Sequence, residues 1–314
     1  MAKLLITGAA GFIGSTLVDR LLARGDTVVG LDNFNDYYDP AIKRSNLEKA
    51  LKRKEFFLHE LDVCDETPFM ALVDGERPDV IVHLAARAGV RPSLQNPNLY
   101  HRVNVIGSQH VLDACREFKP SHLVFASSSS VYGGCTEVPF DEENPVSRPI
   151  SPYAATKRMN ELMGHVYSHT YGLNVTMLRF FTVYGPRQRP DMAIHKFTRL
   201  IDEGKPVPRF GDGSTRRDYT YIDDCIDGVI KAIDVVRQIT NVDKINALGF
   251  CVGGTMLASA LAVLRRMGHD VVESVTFLTT FIDFSDVGEV SAYIDNAFIE
   301  RREREVAQGG IVNG

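Results

Sequence analysis

The sequence predicts an α/β fold: a Rossmann-type, doubly wound parallel sheet with helices on both faces. Three observations predict it. Short apolar runs alternate with helix-length segments, a pattern that favours a parallel sheet with right-handed crossovers. A glycine-rich turn, Gly8-Ala-Ala-Gly11-Phe-Ile-Gly14, joins the first run to the first helix. An acidic residue, Asp32, closes the second run, at the edge of the sheet where ligands of such folds bind.

Each predicted element follows from the local spacing of apolar residues. The first helix, Phe12–Arg24, has apolar residues at helical spacing and ends at Gly25. Further helices are expected over Leu99–Phe118 and Tyr153–Tyr171. Short apolar runs predict buried strands over Lys3–Thr7, Thr27–Leu31, Phe56–Leu61, Val80–Leu84, His122–Ala126 and Val175–Phe181.

Beyond the sixth predicted strand the pattern changes. Between Pro186 and Tyr221 the chain is rich in Pro, Gly and Arg, which indicates loops and the start of a smaller, truncated substrate lobe. A helix is expected over Asp223–Arg237. A strand, a strongly apolar helix and another strand are then expected over Lys244–Gly249, Thr255–Met267 and Val271–Leu278.

Composition and charge exclude several classes of partner. The net charge of −5 gives no electrostatic reason to expect nucleic acid or an anionic membrane. No stretch approaches the ~20 consecutive apolar residues of a membrane span. The five cysteines are scattered and lack Cys-x-x-Cys spacing, which argues against a disulfide framework or a metal site. We therefore expect a soluble cytoplasmic protein with reduced thiols.

The glycine-rich turn has the residue types that a bound pyrophosphate requires. Gly8 permits a tight turn, Gly11 lets backbone N–H groups approach the phosphates, and Gly14 lets the helix pack on the strand. The helix that begins at Phe12 and Ile13 presents unpaired donors and the positive end of its dipole. The alternative is a glycine turn with a purely structural role.

Residues after the other strands complete a predicted NAD site. Asp32 lies at the right distance along the chain to accept a hydrogen bond from the adenosine ribose, and it repels a 2′-phosphate. This favours NAD over NADP. Beside Asp32, the further cofactor-binding candidates are Asn33, then Asp62 and Val63 at the adenine, and Leu84, Ala85 and Ala86 along the cofactor.

Tyr153 and Lys157 form the predicted acid–base pair. They are four residues apart and so lie on one face of a helix. A lysine and a positive nicotinamide ring both favour the phenolate, which can take a proton from a sugar hydroxyl as hydride leaves the same carbon. A serine cluster, Ser127–Ser130, follows the fifth strand at the ligand-binding edge. Alone, the Tyr–Lys pair would more often mark a solvated helix.

These motifs resemble the extended short-chain dehydrogenase/reductase family. The resemblance also rests on the segments 178–185 and 217–224, Leu-Arg-Phe-Phe-Thr-Val-Tyr-Gly and Arg-Asp-Tyr-Thr-Tyr-Ile-Asp-Asp. Three further segments, 32–38, 88–93 and 189–192, are similar to bacterial UDP-glucuronate 4-epimerases. The match covers about residues 1–227. It implies NAD as a recycled cofactor, a UDP-sugar substrate and a homodimer formed through the helices Leu99–Phe118 and Tyr153–Tyr171.

The resemblance also implies roles for single residues. Tyr153 is the base, Lys157 binds the cofactor ribose, and Ser128 or Ser129 contacts the 4-hydroxyl. The other implied cofactor and substrate residues are Ser127, Asn104 near the nicotinamide, Thr182 and Arg187 near the sugar carboxylate, Arg91, and Arg217 near the diphosphate. The related 4,6-dehydratases carry Asp-Glu where this chain has serines, which disfavours a dehydratase.

A second resemblance begins near Val229. Gly249-Phe-Cys251-Val-Gly253 and the segment 278–286 are similar to class I polyhydroxyalkanoate synthases, over about 229–305. An acyltransferase through Cys251 needs an Asp and a His later in the chain. The only histidine beyond Cys251 is His269, which stands at the end of the same predicted helical segment, too far from the cysteine to serve. Cys251 is therefore a vestigial nucleophile in this interpretation.

The predicted organisation has three parts. Residues 1–185 form the NAD-binding domain, 186–227 a partial nucleotide-sugar-binding lobe, and 228–314 the synthase-like segment, docked as the last strand and helix of the sheet. The main hypothesis is an NAD-dependent nucleotide-sugar 4-epimerase weakened by its foreign C-terminus. The alternatives are a non-catalytic NAD-binding chimeric product and, remotely, an acyltransferase.

Overall fold

A computed structural model of the chain describes residues 1–208, 217–239, 245–250 and 272–278. The chain divides into two compact units, Met1–Arg237 and Gln238–Gly314. The strands are β1 Lys3–Thr7, β2 Thr27–Asp32, β3 Phe56–Glu60, β4 Val80–His83, β5 His122–Ser128, β6 Val175–Phe180, β7 Thr182–Tyr184, β8 Tyr219–Tyr221, β9 Ile245–Phe250 and β10 Val272–Leu278. The α-helices are α1 Phe12–Arg24, α2 Pro40–Asn46, α3 Glu66–Glu76, α4 Val90–Gln95, α5 Pro97–His101, α6 Gly107–Phe118, α7 Pro152–Tyr171, α8 Ala193–Asp202 and α9 Ile222–Ile239.

The first unit is built on a parallel sheet of six strands in the order β3-β2-β1-β4-β5-β6. This order reverses direction between β1 and β4, and ligands of doubly wound folds bind at such a switch point. The central strands are apolar because both of their faces are covered. Leu4 and Ile6 pack on one side with α1 and α9, whereas Leu5 packs on the other with α3 and α6. The predicted Rossmann-type fold is confirmed.

The predicted helix over Leu99–Phe118 contains an irregularity. Between α5 and α6 the chain forms a π-helical turn over Arg102–Ile106. This turn accommodates an extra residue in the helix, and such turns occur frequently at functional sites. Asn104 lies in the middle of it and is fully buried.

The region between Pro186 and Tyr221 is more regular than predicted. It contains α8 and β8, and β8 pairs in parallel with β7, the strand that follows β6. The sequence does carry the signal for α8, because Ile194, Phe197 and Ile201 recur at helical spacing. None of the α8 residues is buried.

The strand expected over Lys244–Gly249 is present as β9, and it pairs in parallel with β10 in a separate sheet of two strands. The docking of this strand as the last strand of the sheet of six stays a prediction. Parallel strands need a crossover connection of roughly a dozen or more residues, and the segment 251–271 is long enough to provide it. The predicted helix Thr255–Met267 and Cys251 lie outside the described residues. No helix in the described part of the chain has the length and apolarity needed to cross a bilayer.

Candidate active site

A cavity of about 1040 Å³ lies at the carboxyl edge of the six-stranded sheet. Almost every residue proposed from the sequence lines it. These are Gly8, Gly11, Phe12, Ile13, Gly14, Asp32, Asn33, Asp62, Val63, Leu84, Ala85, Ala86, Arg91, Ser127, Ser128, Ser129, Tyr153, Lys157, Thr182 and Arg217. Residues from six strand ends and from the segments around β7 and β8 thus converge on one space. We refer to it as the main cavity.

The glycine-rich turn forms one end of the main cavity, and its backbone could not carry side chains. Gly8 has a φ of 72°, and a Cβ there would lie 2.8 Å from the Ala85 nitrogen. A Cβ on Gly14 would lie 2.1 Å from the Gly8 oxygen. Gly11 caps α1 without a side chain, so the first N–H groups of the helix face the cavity. This cradle fits a pyrophosphate.

Asp32, at the end of β2, is buried and organises the adjoining loops. One carboxylate oxygen accepts from the Ala10 N–H at 3.2 Å and the other from the Phe34 N–H at 2.9 Å. Lys43 of α2 lies 3.3 Å from the same carboxylate. Lys43 was not found from the sequence, although it lines the main cavity and is itself buried. The carboxylate and the ammonium offer an acceptor and a donor to ribose hydroxyls.

Asp62 forms the neighbouring wall of this end. Its carboxylate accepts from the Cys64 N–H and from the Asn33 side chain, both at 2.8 Å. Burial acts to raise the pKa of Asp62, but these hydrogen bonds outweigh it and the pKa is lowered. Asp62 is therefore an anion that fixes Asn33 at the cavity wall.

Tyr153 and Lys157 lie at the other end, in the first turns of α7. Ser151 caps this helix by accepting from the Ala154 N–H at 3.1 Å, and Pro152 occupies its first position. The Lys157 ammonium donates to the Ala126 carbonyl at 2.7 Å, and burial lowers its pKa to about 8. Both side chains are thus held on one face of α7, beside the end of β5.

The Tyr153 phenol has Ser128, rather than Ser129, as its hydrogen-bond partner. Burial raises the pKa of Tyr153, while the Ser128 hydroxyl and the positive charge of Arg189 act to lower it. Ser128 is held in turn by Ser130, whose hydroxyl lies 3.0 Å away. Ser127 points elsewhere, donating to Glu161 at 2.6 Å. The serine cluster therefore places one hydroxyl beside the phenol.

Two residues proposed from the sequence do not line the main cavity. Asn104 accepts from the Arg87 N–H at 2.7 Å and donates to the Arg87 carbonyl at 2.9 Å and to Thr156 at 3.1 Å. Its amide therefore ties the loop after β4 to α7. Arg187 donates to Asp19 of α1 at 2.7 Å. Its φ of 68° turns the chain so that this side chain leaves the cavity.

Arg189 lines the main cavity where Arg187 was expected. Its guanidinium donates to Asp191 at 2.9 and 3.0 Å, and its central carbon lies 5.4 Å from the centre of the Tyr37 ring. The Tyr37 hydroxyl donates to the Ala88 carbonyl at 2.8 Å. No periodic signal in the sequence distinguishes Arg189 from Arg187, since they are two residues apart in a loop.

The fold and the site together define a dinucleotide-binding α/β protein with a tyrosine–lysine–serine acid–base group. Family comparison agrees: residues 4–247 match the model of the NAD dependent epimerase/dehydratase family. The chain belongs to this family, and NAD is its cofactor. Gly8, Gly11 and Asp32 fit that cofactor because they provide the phosphate cradle and the ribose acceptor.

Three relatives define the comparison further. UDP-glucuronate 4-epimerase of Thermodesulfobacterium geofontis is 43% identical over 233 residues, which are 74% of this chain and 72% of that protein. UDP-glucuronate 4-epimerase 3 of Arabidopsis thaliana is 42% identical over 285 residues, 90% of this chain and 64% of its own length. The crystal structure of UDP-glucuronic acid 4-epimerase from Bacillus cereus, with UDP-glucuronic acid and NAD, aligns with a TM-score of 0.70 and 35% identity, covering 88% of this chain and 86% of that one.

Proposed function

We propose that the chain is an NAD-dependent 4-epimerase that interconverts UDP-glucuronate and UDP-galacturonate. The observation that carries this proposal is the juxtaposition of Tyr153, Ser128 and Arg189 at one end of the main cavity, with the glycine-rich cradle at the other. The solved relative from Bacillus cereus, which is in complex with UDP-glucuronic acid and NAD, supports the same substrate.

Gly8, Gly11 and Asp32 would hold NAD, which would supply first the acceptor and then the donor of the C4 hydride, so that the net reaction would be redox-neutral. Tyr153 takes the proton of the 4-hydroxyl and gives it back, and Ser128 shares that hydrogen bond. Burial raises the pKa of the phenol, while Ser128 and Arg189 act to lower it. A bound, positively charged nicotinamide ring would act in the same direction as Arg189. Lys157, anchored on Ala126, binds the cofactor ribose.

The sugar carboxylate determines which nucleotide sugar fits. This group is attached to C5, next to the reacting C4, so its protein partner must lie close to Tyr153. Arg189 meets this requirement, since its charge acts on the Tyr153 phenol. One edge of the Arg189 guanidinium is paired with Asp191. Because the planar group has five N–H donors in all, others remain to donate to the sugar carboxylate. Thr182, Arg91 and Arg217 line the cavity as further substrate contacts.

The decisive experiment is conversion of UDP-glucuronate by the purified chain, followed by chromatography, with Tyr153→Phe as the control. We expect UDP-galacturonate from the wild type and a loss of kcat of roughly 10²–10⁴-fold in the variant, the contribution of general acid–base catalysis. A chain that retains NAD without converting the substrate would instead be the non-catalytic NAD-binding product.

We propose a separate origin for residues 228–314, with similarity to class I polyhydroxyalkanoate synthases. The pattern Gly249-Phe-Cys251-Val-Gly253 supports it. Acyl-thioester hydrolysis that disappears in Cys251→Ser would give this segment a chemical role. We expect no such hydrolysis, because the sequence lacks suitably placed triad partners.

We also propose that the protein is a cytoplasmic homodimer. Its interface would be formed by α7 and by the continuous helical segment that runs from α5 through the π-helical turn to α6. Met159, Leu162 and Val166 recur at helical spacing on α7 and are 43%, 52% and 53% exposed. An apolar stripe of this kind is typical of an interface. Leu162→Glu should convert the dimer to a monomer in light scattering after size-exclusion chromatography.

A further inference from the structure

Arg87 lies near Arg189 in the main cavity, at the end that Tyr153 and Ser128 also line and that we call the sugar end. It follows β4, is half-buried and lines the cavity. The central carbon of its guanidinium lies 5.3 Å from the centre of the Tyr37 ring, against 5.4 Å for that of Arg189. Both arginines thus contact one aromatic ring, which holds two like charges in the same small region.

The two arginines differ in how their charges are compensated. Arg189 is paired with Asp191 through two hydrogen bonds. In the described part of the chain, no Asp or Glu forms an ion pair with Arg87. Arg87, Arg189 and Asp191 therefore leave one net positive charge around Tyr37, and Arg87 supplies it. A partly buried cation without a counterion attracts an anionic ligand more strongly than an exposed one.

Arg87 is also held at a fixed position. The buried Asn104 amide binds both its N–H and its carbonyl, at 2.7 and 2.9 Å. The next residue, Ala88, accepts hydrogen bonds from the hydroxyls of Tyr37 and Tyr100 at 2.8 and 2.7 Å. Such preorganisation reduces the entropy that a ligand contact costs.

The position of Arg87 relative to the catalytic phenol indicates which anion it binds. The Tyr100 ring lies 6.2 Å from the Tyr153 ring, edge to face, and the Arg87 charge acts on the phenols of Tyr100 and Tyr37. Arg87 is thus near the catalytic phenol, at the sugar end. We propose that Arg87 binds the carboxylate of the uronate sugar together with Arg189, and so selects a uronate over a neutral hexose. This inference rests on the proposed function, which it makes more specific.

The test measures binding separately from turnover. Holoprotein carrying Tyr153→Phe, with NAD bound, is titrated by calorimetry with UDP-glucuronate and with UDP-glucose, which differ in charge at C6. Adding Arg87→Gln should weaken UDP-glucuronate binding about tenfold, the scale of one charge-assisted hydrogen bond, and leave UDP-glucose within about twofold. Arg87→Lys, which keeps the charge, should lie between the two.

A matched control removes one charge elsewhere. Arg199→Gln, on exposed α8 outside the cavity, should change neither affinity. Equal weakening of both nucleotides by Arg87→Gln, no weakening of either, or a lysine variant that behaves like the glutamine variant would each overturn the inference. So would holoprotein that binds neither nucleotide. Absence of turnover with Tyr153 intact would instead refute the proposed function alone.

Discussion

The two ends of the main cavity are built differently. The cofactor end consists largely of backbone: the turn at Gly8, the first N–H groups of α1, and carboxylates fixed at the ends of β2 and β3. The sugar end consists of side chains from separate loops, chiefly Tyr37, Arg87 and Arg189. A site made of backbone depends on whether a Cβ fits, whereas a site made of side chains depends on how the loops are held together.

The substitution that should impair cofactor binding most is Gly14→Ala. The added Cβ would lie 2.1 Å from the Gly8 oxygen, so the turn must move and the cradle is lost. We expect NAD to be absent from the purified protein, as measured by chromatography of the acid-released nucleotide. We also expect the free energy of unfolding to fall by about 1–3 kcal/mol, as overpacking does.

Gly75→Ala in α3 is the matched control. A Cβ there meets no atom within 4 Å, so NAD binding should persist. Removal of a helical glycine should raise the free energy of unfolding by roughly 0.5–1 kcal/mol. If Gly14→Ala retained NAD as the control does, the cradle would not require a glycine at this position.

At the sugar end, Arg189→Gln should change the affinity for the substrate, whereas Arg187→Gln should change the stability of the fold. Arg189→Gln should weaken UDP-glucuronate binding by roughly 10–100-fold, since a hydrogen bond to a charged group contributes about 1.5–3 kcal/mol. Arg187→Gln removes the ion pair with Asp19. It should lower the free energy of unfolding, measured by urea denaturation, and leave the affinity unchanged. The reverse result would restore the role that the sequence interpretation gave to Arg187.

A smaller effect concerns two buried histidines of the sheet that supports both ends. Burial lowers the pKa of His83 to about 3 and of His122 to about 4. Folded protein keeps both rings neutral, whereas the unfolded chain takes up protons near its ordinary pKa of about 6.5. Stability therefore falls as the pH falls below about 6.5, by about 0.7 kcal/mol per histidine between pH 7 and 6.

Urea denaturation between pH 7 and pH 5 measures this dependence. His122→Phe, at a position where both ring nitrogens lack a partner, should reduce the slope of stability against pH by about half. An unchanged slope in that variant would mean that His122 is not neutral in the folded protein.

The contrast between the two ends also explains what the sequence could predict. The bounds of β1 and α1 agree with those expected, because apolar spacing and Gly25 determine them locally. Tyr153 and Lys157 were found because a helix places residues four apart on one face. Lys43 and Tyr37 were missed. Tyr37 reaches Ala88, 51 positions along the chain, and no local pattern encodes such a contact.

Arg187 and Arg189, two residues apart, also show that a local sequence pattern does not determine which side chain enters the cavity. The sequence placed Arg187 near the sugar carboxylate, whereas the Arg187 side chain, on a residue of positive φ, donates to Asp19 of α1. The backbone conformation of a loop depends on contacts that exist only in the folded chain. Here Gln188, buried between them, donates to the Val183 carbonyl at 2.9 Å and fixes the turn.

The π-helical turn at Arg102–Ile106 makes this stretch sensitive to chain length. One residue advances an α-helix by about 100°. Deletion of a single residue here would remove the π-helical turn and join α5 to α6 as one regular helix. The residues before the deletion would then be rotated about the helix axis relative to α6. Asn104 would then no longer face Arg87, and the loop after β4 would lose its clamp. A substitution of the exposed Ile106 should be tolerated. Deletion of Ile106 should abolish activity, although this residue does not line the main cavity.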